Sequence, residues 1–343
     1  MADLFAPALS VSATEPASAR TAAAALARLS DPHVPVRLTG PIGTGFTPLD
    51  EVLNGGVRAG ELLLLGGKPG QGKTVAALQW ARNAASVGST AIIACYEHDE
   101  VTLLARLLAC ELGEAANMAG VDNVGRLDDA RQGLRALADG VRGVEEVLGS
   151  DTLLRTAADR LAGYAEHLVL VSTGSGTDLA ALEDVVVQHS GERTVLFVDY
   201  LQKVPVIPEA ANESERVTRV VEGLHDLALR RGVAVVAVVA ADVSGLTARR
   251  LRPHHLRGAT ALAYESDIVL MLNDKMTAVS RAHLAYDSTR AKEFREYVIF
   301  SIEKQRGGVT DVDLEFRKDF ANSRFHPAGR WVAERLWTEG SSE

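Results

Sequence analysis

The amino-acid sequence predicts an α/β fold: a mostly parallel central sheet with helices on both faces and an antiparallel hairpin along one edge. Three observations carry this. Strand-length apolar runs recur with helix-length segments between them. The first five runs are continuous rather than alternating, as strands covered on both faces must be. A glycine pair, Gly307-Gly308, separates the last two runs, which marks a hairpin.

In chain order, residues 1–39 are rich in Ala, Ser, Pro and Thr and read as a flexible arm, with helix-forming composition over Ala17–Leu29. The folded domain is expected over residues 40–330. Its apolar runs are Leu62–Leu65, Ala91–Cys95, His167–Val171, Val195–Val198, Val233–Ala240, Ile268–Leu272, Val298–Ile302 and Val312–Phe316. Lys73–Val87 predicts a helix that Gly88 ends. Ser214–Arg231 predicts another, with Asn212 and Glu215 at capping-box spacing and Gly232 after its end. Residues 113–166 are polar, Ala-rich and helically periodic, and read as a helical insertion between the second and third strands. Residues 331–343 form a C-terminal tail.

Composition narrows the function classes. Hydrophobic residues make up 47% of the 343, enough to bury a sizeable core. The formal net charge of −9 argues against a surface that coats nucleic acid, so any such contact is local. Cys95 and Cys110 lie in apolar runs and form no C-x-x-C, which points to two buried thiols in a reducing compartment. The longest apolar run, Val233–Ala241, has nine residues. A bilayer span needs about 20. The start carries no basic, then apolar, leader, so a cytoplasmic protein without membrane contact is expected.

The strand Leu62–Leu65 runs into Gly67-Lys68-Pro69-Gly70-Gln71-Gly72-Lys73-Thr74, a complete G-x-x-x-x-G-K-T. Its glycines let backbone N–H groups turn inward around phosphates, and the helix that starts here adds its positive end. This predicts ATP as ligand, with Lys73 on the β- and γ-phosphates. The Thr74 hydroxyl is expected on Mg2+. A second strand, Val195–Val198, ends in Asp199, placed to hold the same Mg2+ through water. Glu97 follows the strand Ala91–Cys95. It is either a carboxylate that orients and deprotonates an attacking water or part of the solvated acidic loop that His98, Asp99 and Glu100 continue.

Several stretches, taken together, resemble a known family. They are Thr44–Asp50 with Asn54-Gly55-Gly56, the phosphate loop, Tyr96-Glu97, Asp199-Tyr200-Leu201-Gln202, Leu256-Arg257, Asp267-Ile268-Val269, and Lys304-Gln305-Arg306-Gly307-Gly308. In this order they resemble the C-terminal RecA-like motor domain of the bacterial replicative DNA helicases, the DnaB type, over about residues 40–327. The resemblance implies that Glu97 activates water and that Asp199 and Gln202 belong to the nucleotide site. It implies a ring, usually a hexamer, in which Lys304 and Arg306 reach the neighbouring subunit's ATP. There a fixed cation stabilises charge on the transferring phosphoryl group.

The chain also departs from the family. Only about 40 residues precede the core, where the family has a further helical domain; that puts ring assembly through such a domain, and primase contact, in doubt. Ala240-Ala241 stand where the family carries a serine-glutamine that senses the γ-phosphate.

The segment Asp242–Thr260 holds Arg249, Arg250, Arg252 and Arg257 against one acid. In a ring it would line the central hole, with these arginines and the backbone at Gly258 gripping phosphates of single-stranded DNA. The first aromatic residue after them is Tyr264, so base stacking is weak and sequence-specific reading is not expected. Two functions follow: an ATP-driven helicase or translocase acting on single-stranded DNA, or a RecA-like ATPase that serves as a nucleotide-dependent switch or accessory protein.

Overall fold

The computed structural model describes residues 21–30, 40–120, 124–149, 151–279 and 292–337. The chain divides into two units, Met1–Leu38 and Thr39–Glu343. In the first, a helix occupies Ala22–Leu29 with Leu26 exposed; most of the predicted arm lies outside the described residues, as does the end of the predicted tail.

The second unit is built on one sheet. Its strands are β1 (Leu62–Gly67), β2 (Thr90–Cys95), β3 (Leu168–Val171), β4 (Thr194–Asp199), β5 (Ala234–Ala240), β6 (Ile268–Asp274), β7 (Tyr297–Gln305), β8 (Val312–Asp319), β9 (Arg324–Phe325) and β10 (Arg330–Trp331). Their spatial order is β10-β8-β7-β6-β1-β5-β4-β2-β3, with β9 on β8. From β3 to β6 every pairing is parallel. β7 and β8 then form the antiparallel edge hairpin that the glycine pair predicts. The mostly parallel α/β fold expected from the sequence is the fold observed.

The continuity of the apolar runs has a direct cause. Leu63, Leu65, Ile93 and Phe197 face one core, with Trp80 and the helices Lys73–Ser86 and Glu100–Ala119. Leu62, Leu64, Leu196 and Val198 face the other, under the helices Leu179–His189 and Glu213–Arg231. Alternate residues go to opposite faces, so both sets must be apolar. The last of these helices starts where its cap predicts. Asn212 Oδ1 accepts from Glu215 N at 2.9 Å, and Gly232 closes the helix at φ 62°.

Between β2 and β3 lie the helices Glu100–Ala119, Val124–Ala138, Val144–Leu148 and Thr152–Ala162. Gly113, where the sequence suggests an insertion beginning, lies inside the first of them. That helix starts earlier because Asp99 Oδ1 accepts from Thr102 N at 2.8 Å.

A buried charge ties these helices to the one that follows the phosphate loop. Glu111 is fully buried. Its carboxylate accepts from Arg82 Nε at 2.5 Å and Nη2 at 2.9 Å, from Arg160 Nε at 2.7 Å and from the Tyr164 hydroxyl at 2.9 Å. Burial pushes its pKa up, but the bonds and charge of Arg82 outweigh that and hold it below the usual carboxylate value. Removing one partner of such a pair strands the other charge, at a cost of roughly 3–5 kcal/mol. Glu111→Gln should therefore lower stability near neutral pH by about that amount, read from denaturant midpoints. Because the folded pKa is depressed, this contribution is complete above the unfolded value of 4.5 and disappears as the pH falls through the folded one. The gap between wild type and variant should close in acid; a gap independent of pH would refute the charge argument.

Candidate active site

β1 delivers the phosphate loop between β5 and β6, with Gly67 level with Ala240 and Leu272. Gly72 caps the following helix at φ +86°, a left-handed conformation that costs an L-residue about 1–2 kcal/mol. A Cβ there would also lie 2.7 Å from Phe320 Cζ and 2.8 Å from Phe325 Cζ. Gly70 has φ +77° but open space around it. Lys73 points back into the loop and donates from Nζ to Gly67 O at 2.8 Å and Lys68 O at 3.0 Å. Burial lowers its pKa; the charges of Asp199 and Glu97 work against that shift.

β4 brings Asp199 alongside Cys95, the last residue of β2. Thr74 Oγ1 donates to Asp199 Oδ2 at 2.6 Å, while Asp199 Oδ1 is buried with no hydrogen-bond partner. Burial raises the carboxyl pKa, opposed by the Thr74 hydrogen bond and by Lys73. Cys95 Sγ lies 3.8 Å from Oδ2, and burial pushes its thiol pKa up to about 11. The site thus presents a hydroxyl and an under-satisfied carboxylate oxygen. Those are the hard donors a Mg2+ ion takes alongside phosphate oxygens and water. Thr74 and Asp199 fit the ion that the sequence predicts.

Glu97, Lys73, Thr74 and Asp199 line one cleft of about 510 Å³, with Pro69, Gly70 and Gly72 from the loop. The Glu97 side chain is 39% exposed, and its Oε1 lies 3.8 Å from Lys203 Nζ. A carboxylate this accessible, two residues beyond a strand end, is placed to meet a water in the cleft. The cleft also holds residues that sequence reasoning missed: His98, Arg106, Phe320 and Ser323. Burial and the Arg106 guanidinium hold the His98 imidazole below its ordinary range. Phe320 is far from the loop in sequence, and no local motif announces it. Arg106 sits on the helix capped by Asp99, and that cap was the available signal.

Other predicted residues lie elsewhere. Gln202, expected at the nucleotide, is buried and does not line the cleft. Its Oε1 accepts from Ala240 N and its Nε2 donates to Arg257 O, both at 3.2 Å. Its amide bridges two backbone groups, at the base of the segment after β5. Arg250 and Arg252 are paired within the fold. Arg250 is buried on Asp313 at 2.5 Å, and Arg252 Nη1 meets Glu303 at 2.7 Å. Two internal carboxylates already neutralise them. Arg249 donates to Val279 O at 3.3 Å and lies over the Trp337 ring. Arg257 Nη1 is 3.0 Å from Glu213, both side chains 43% exposed. Gly258, at φ +90°, packs where a Cβ would strike Val217.

Lys304 and Arg306 are not near the phosphate loop of their own chain. Lys304 Nζ donates to Ala263 O at 2.6 Å and to Ser266 O; Arg306 donates to Tyr264 O at 2.7 Å. Arg306 N also bonds Asp267 O, level with Leu62 at the start of β1. The phosphate loop leaves the other end of that strand, about 16 Å away at ~3.3 Å per residue.

This fold and this cleft define a RecA-like P-loop nucleotide-binding domain. The family model described as DnaB-like helicase C terminal domain matches residues 41–144 and 152–326. The chain belongs to that family. It is 26% identical over 284 residues to the replicative DNA helicase DnaB of Treponema pallidum, covering 81% of this chain and 55% of that protein. It is 28% identical over 194 residues to the DNA repair protein RadA of Mycolicibacterium smegmatis, covering 48% and 41%. The chain thus spans about half the length of the curated relatives it matches. Among solved structures, the ATPase domain of G40P has a TM-score of 0.64 at 17% identity, with 83% of this chain and 90% of that one covered. A DnaB-like replicative helicase, solved in a study of its interactions with primase, gives the same TM-score and identity over 83% and 61%. At this identity the two structures speak to fold alone. Among the described residues, no helix is long and apolar enough to cross a membrane.

The two loop glycines make an internal comparison. Gly70→Ala should cost only the left-handed backbone penalty, about 1–2 kcal/mol. Gly72→Ala adds the collision with Phe320 and Phe325, so its melting temperature and nucleotide affinity should both fall further. Equal losses would show that the aromatic pair yields freely.

Proposed function

We propose that this domain hydrolyses ATP with Mg2+ and drives translocation along single-stranded DNA as a ring, most simply a hexamer. The observation that carries the nucleotide reading is the joint placement of Lys73, Thr74, Asp199 and Glu97 on one cleft, with Asp199 Oδ1 unpartnered. The loop amides and the helix N-terminus receive the phosphates. Lys73 exchanges two carbonyl acceptors for the β- and γ-phosphates, whose negative charge attracts its ammonium more strongly. Thr74 and Asp199 would hold Mg2+, which would offset negative charge on the bound phosphates. Glu97 orients the attacking water and accepts its proton.

Distance supports the ring. Lys304 and Arg306 stand at the far end of the strands from their own cleft, which favours service to the cleft of a second copy of the chain. Of the four arginines, Arg250 is buried and Arg257 is exposed, with a surface partner in Glu213, so the reading puts DNA contact first on Arg257, with Arg249 and the backbone at Gly258 beside it. The internal pairing, together with Ala240-Ala241 at the end of β5, also favours a second reading: a nucleotide-dependent switch or accessory ATPase without unwinding.

Lys73→Ala should abolish nucleotide binding in calorimetry. Arg306→Ala should bind nucleotide normally yet hydrolyse it ~10³-fold more slowly; undiminished turnover would rule out the shared site. Strand displacement with ATP and Mg2+ separates the two functions. Hydrolysis that persists without unwinding or stimulation by single-stranded DNA at any salt concentration leaves the switch reading.

A further inference from the structure

The segment after β5 is a closed loop with a defined base. Ala241 pairs with Leu256, Asp242 N donates to His255 O at 2.8 Å, and Arg257 N donates to Ala240 O at 3.1 Å. Gln202 pins the same base by bridging Ala240 and Arg257. Farther out, Leu251 N donates to Asn273 Oδ1 at 2.6 Å. Between these anchors lies the short helix Val243–Thr247, with Asp242 as its N-cap and Ala248 as its C-cap. Val243 is 78% exposed and Leu246 49%, so little apolar packing holds this helix down.

One side chain reaches it from the phosphate loop. Lys68 Nζ donates to Ala248 O, at the helix's C-terminal end. The backbone of the same lysine is engaged by the nucleotide machinery, because Lys68 O accepts from Lys73 Nζ at 3.0 Å. Each lysine therefore satisfies a neutral carbonyl: Lys73 that of Lys68, and Lys68 that of Ala248.

We infer that Lys68 is a positioning residue that clasps the Val243–Arg249 segment to the phosphate loop and releases it when a triphosphate enters. The inference rests on the nucleotide reading above and adds to it the link that Ala240-Ala241, lacking polar side chains, do not supply. A triphosphate withdraws Lys73 from the Lys68 carbonyl. Its negative field also competes for the Lys68 ammonium against one carbonyl acceptor and the charge of Asp274. Half-burial makes this ammonium responsive, since desolvation already weighs against its charge. Release frees the Ala248 carbonyl and loosens the Val243–Thr247 helix, while the base stays fixed through Gln202. The consequence is a loop that stiffens or loosens with nucleotide state without a side-chain sensor on β5.

Hydrogen exchange of the full chain, followed by mass spectrometry over amides 243–249, tests this without DNA. The probe is a non-hydrolysable ATP analogue with Mg2+, at concentrations shown by calorimetry to saturate. In the wild type, nucleotide should speed exchange roughly tenfold, as loss of one charge-assisted hydrogen bond implies. Lys68→Met should exchange at that faster rate already without nucleotide and show no further change; Lys68→Arg should behave as wild type. Slow exchange in nucleotide-free Lys68→Met, or no response in saturated wild type, overturns the clasp while leaving ATP binding standing. Lys68→Met that exchanges slowly and has lost nucleotide affinity would assign Lys68 to the nucleotide instead. No heat from the wild type with ATP analogue is a separate failure: it sinks the nucleotide reading, and the inference with it.

Discussion

The hydrogen bond from Thr74 to Asp199 joins residues 125 positions apart and organises the site. It exists because β1 and β4 lie parallel on either side of β5, so their C-terminal ends open on the same edge of the sheet. A parallel sheet needs helices on both faces. Every apolar run that builds the two cores therefore also aims these two oxygens. The bond leaves Asp199 Oδ1 without a partner in a buried setting, an arrangement that costs free energy unless a cation completes it.

Charge is distributed by depth. Near the loop, half-buried Lys73 and buried Asp199 are only part-neutralised by each other, which suits a ligand that brings both phosphate and metal. Deeper, Glu111 is surrounded by Arg82, Arg160 and Tyr164, with its hydrogen-bonding capacity used within the protein. The first arrangement is poised for binding, and the second fastens the helix that leads from the phosphate loop to its neighbours. Arg82 belongs to the same helix as Thr74, so the tie also steadies the Thr74 hydroxyl.

The two ends of the strands carry different tasks. The cleft occupies the C-terminal ends; Lys304 and Arg306 occupy the other, held to the carbonyls of residues 263, 264 and 266. Held cations with no phosphate in reach suit a contact between copies. The basic segment after β5 is split likewise: Arg250 and Arg252 secure it to the edge hairpin, and Arg257 stays at the rim.

Local sequence determined the strands, the phosphate loop, the helix caps at Asn212 and the acid at the end of β4. Each depends on a side-chain period, a positive φ or a cap that neighbouring residues decide. The likeness to the helicase family was legible for the same reason, since its motifs are short and contiguous. Tertiary structure alone decided which charges are already satisfied. Arg250 looks in sequence like a free cation beside Arg249, yet Asp313 lies across the hairpin from it. Gln202 belongs in sequence to the motif that begins with Asp199, and strand packing sets its amide against Ala240 and Arg257. Phe320 closes over Gly72 from the far side of the chain. Neutralisation and burial depend on the register of distant strands, and no window of neighbouring residues contains that.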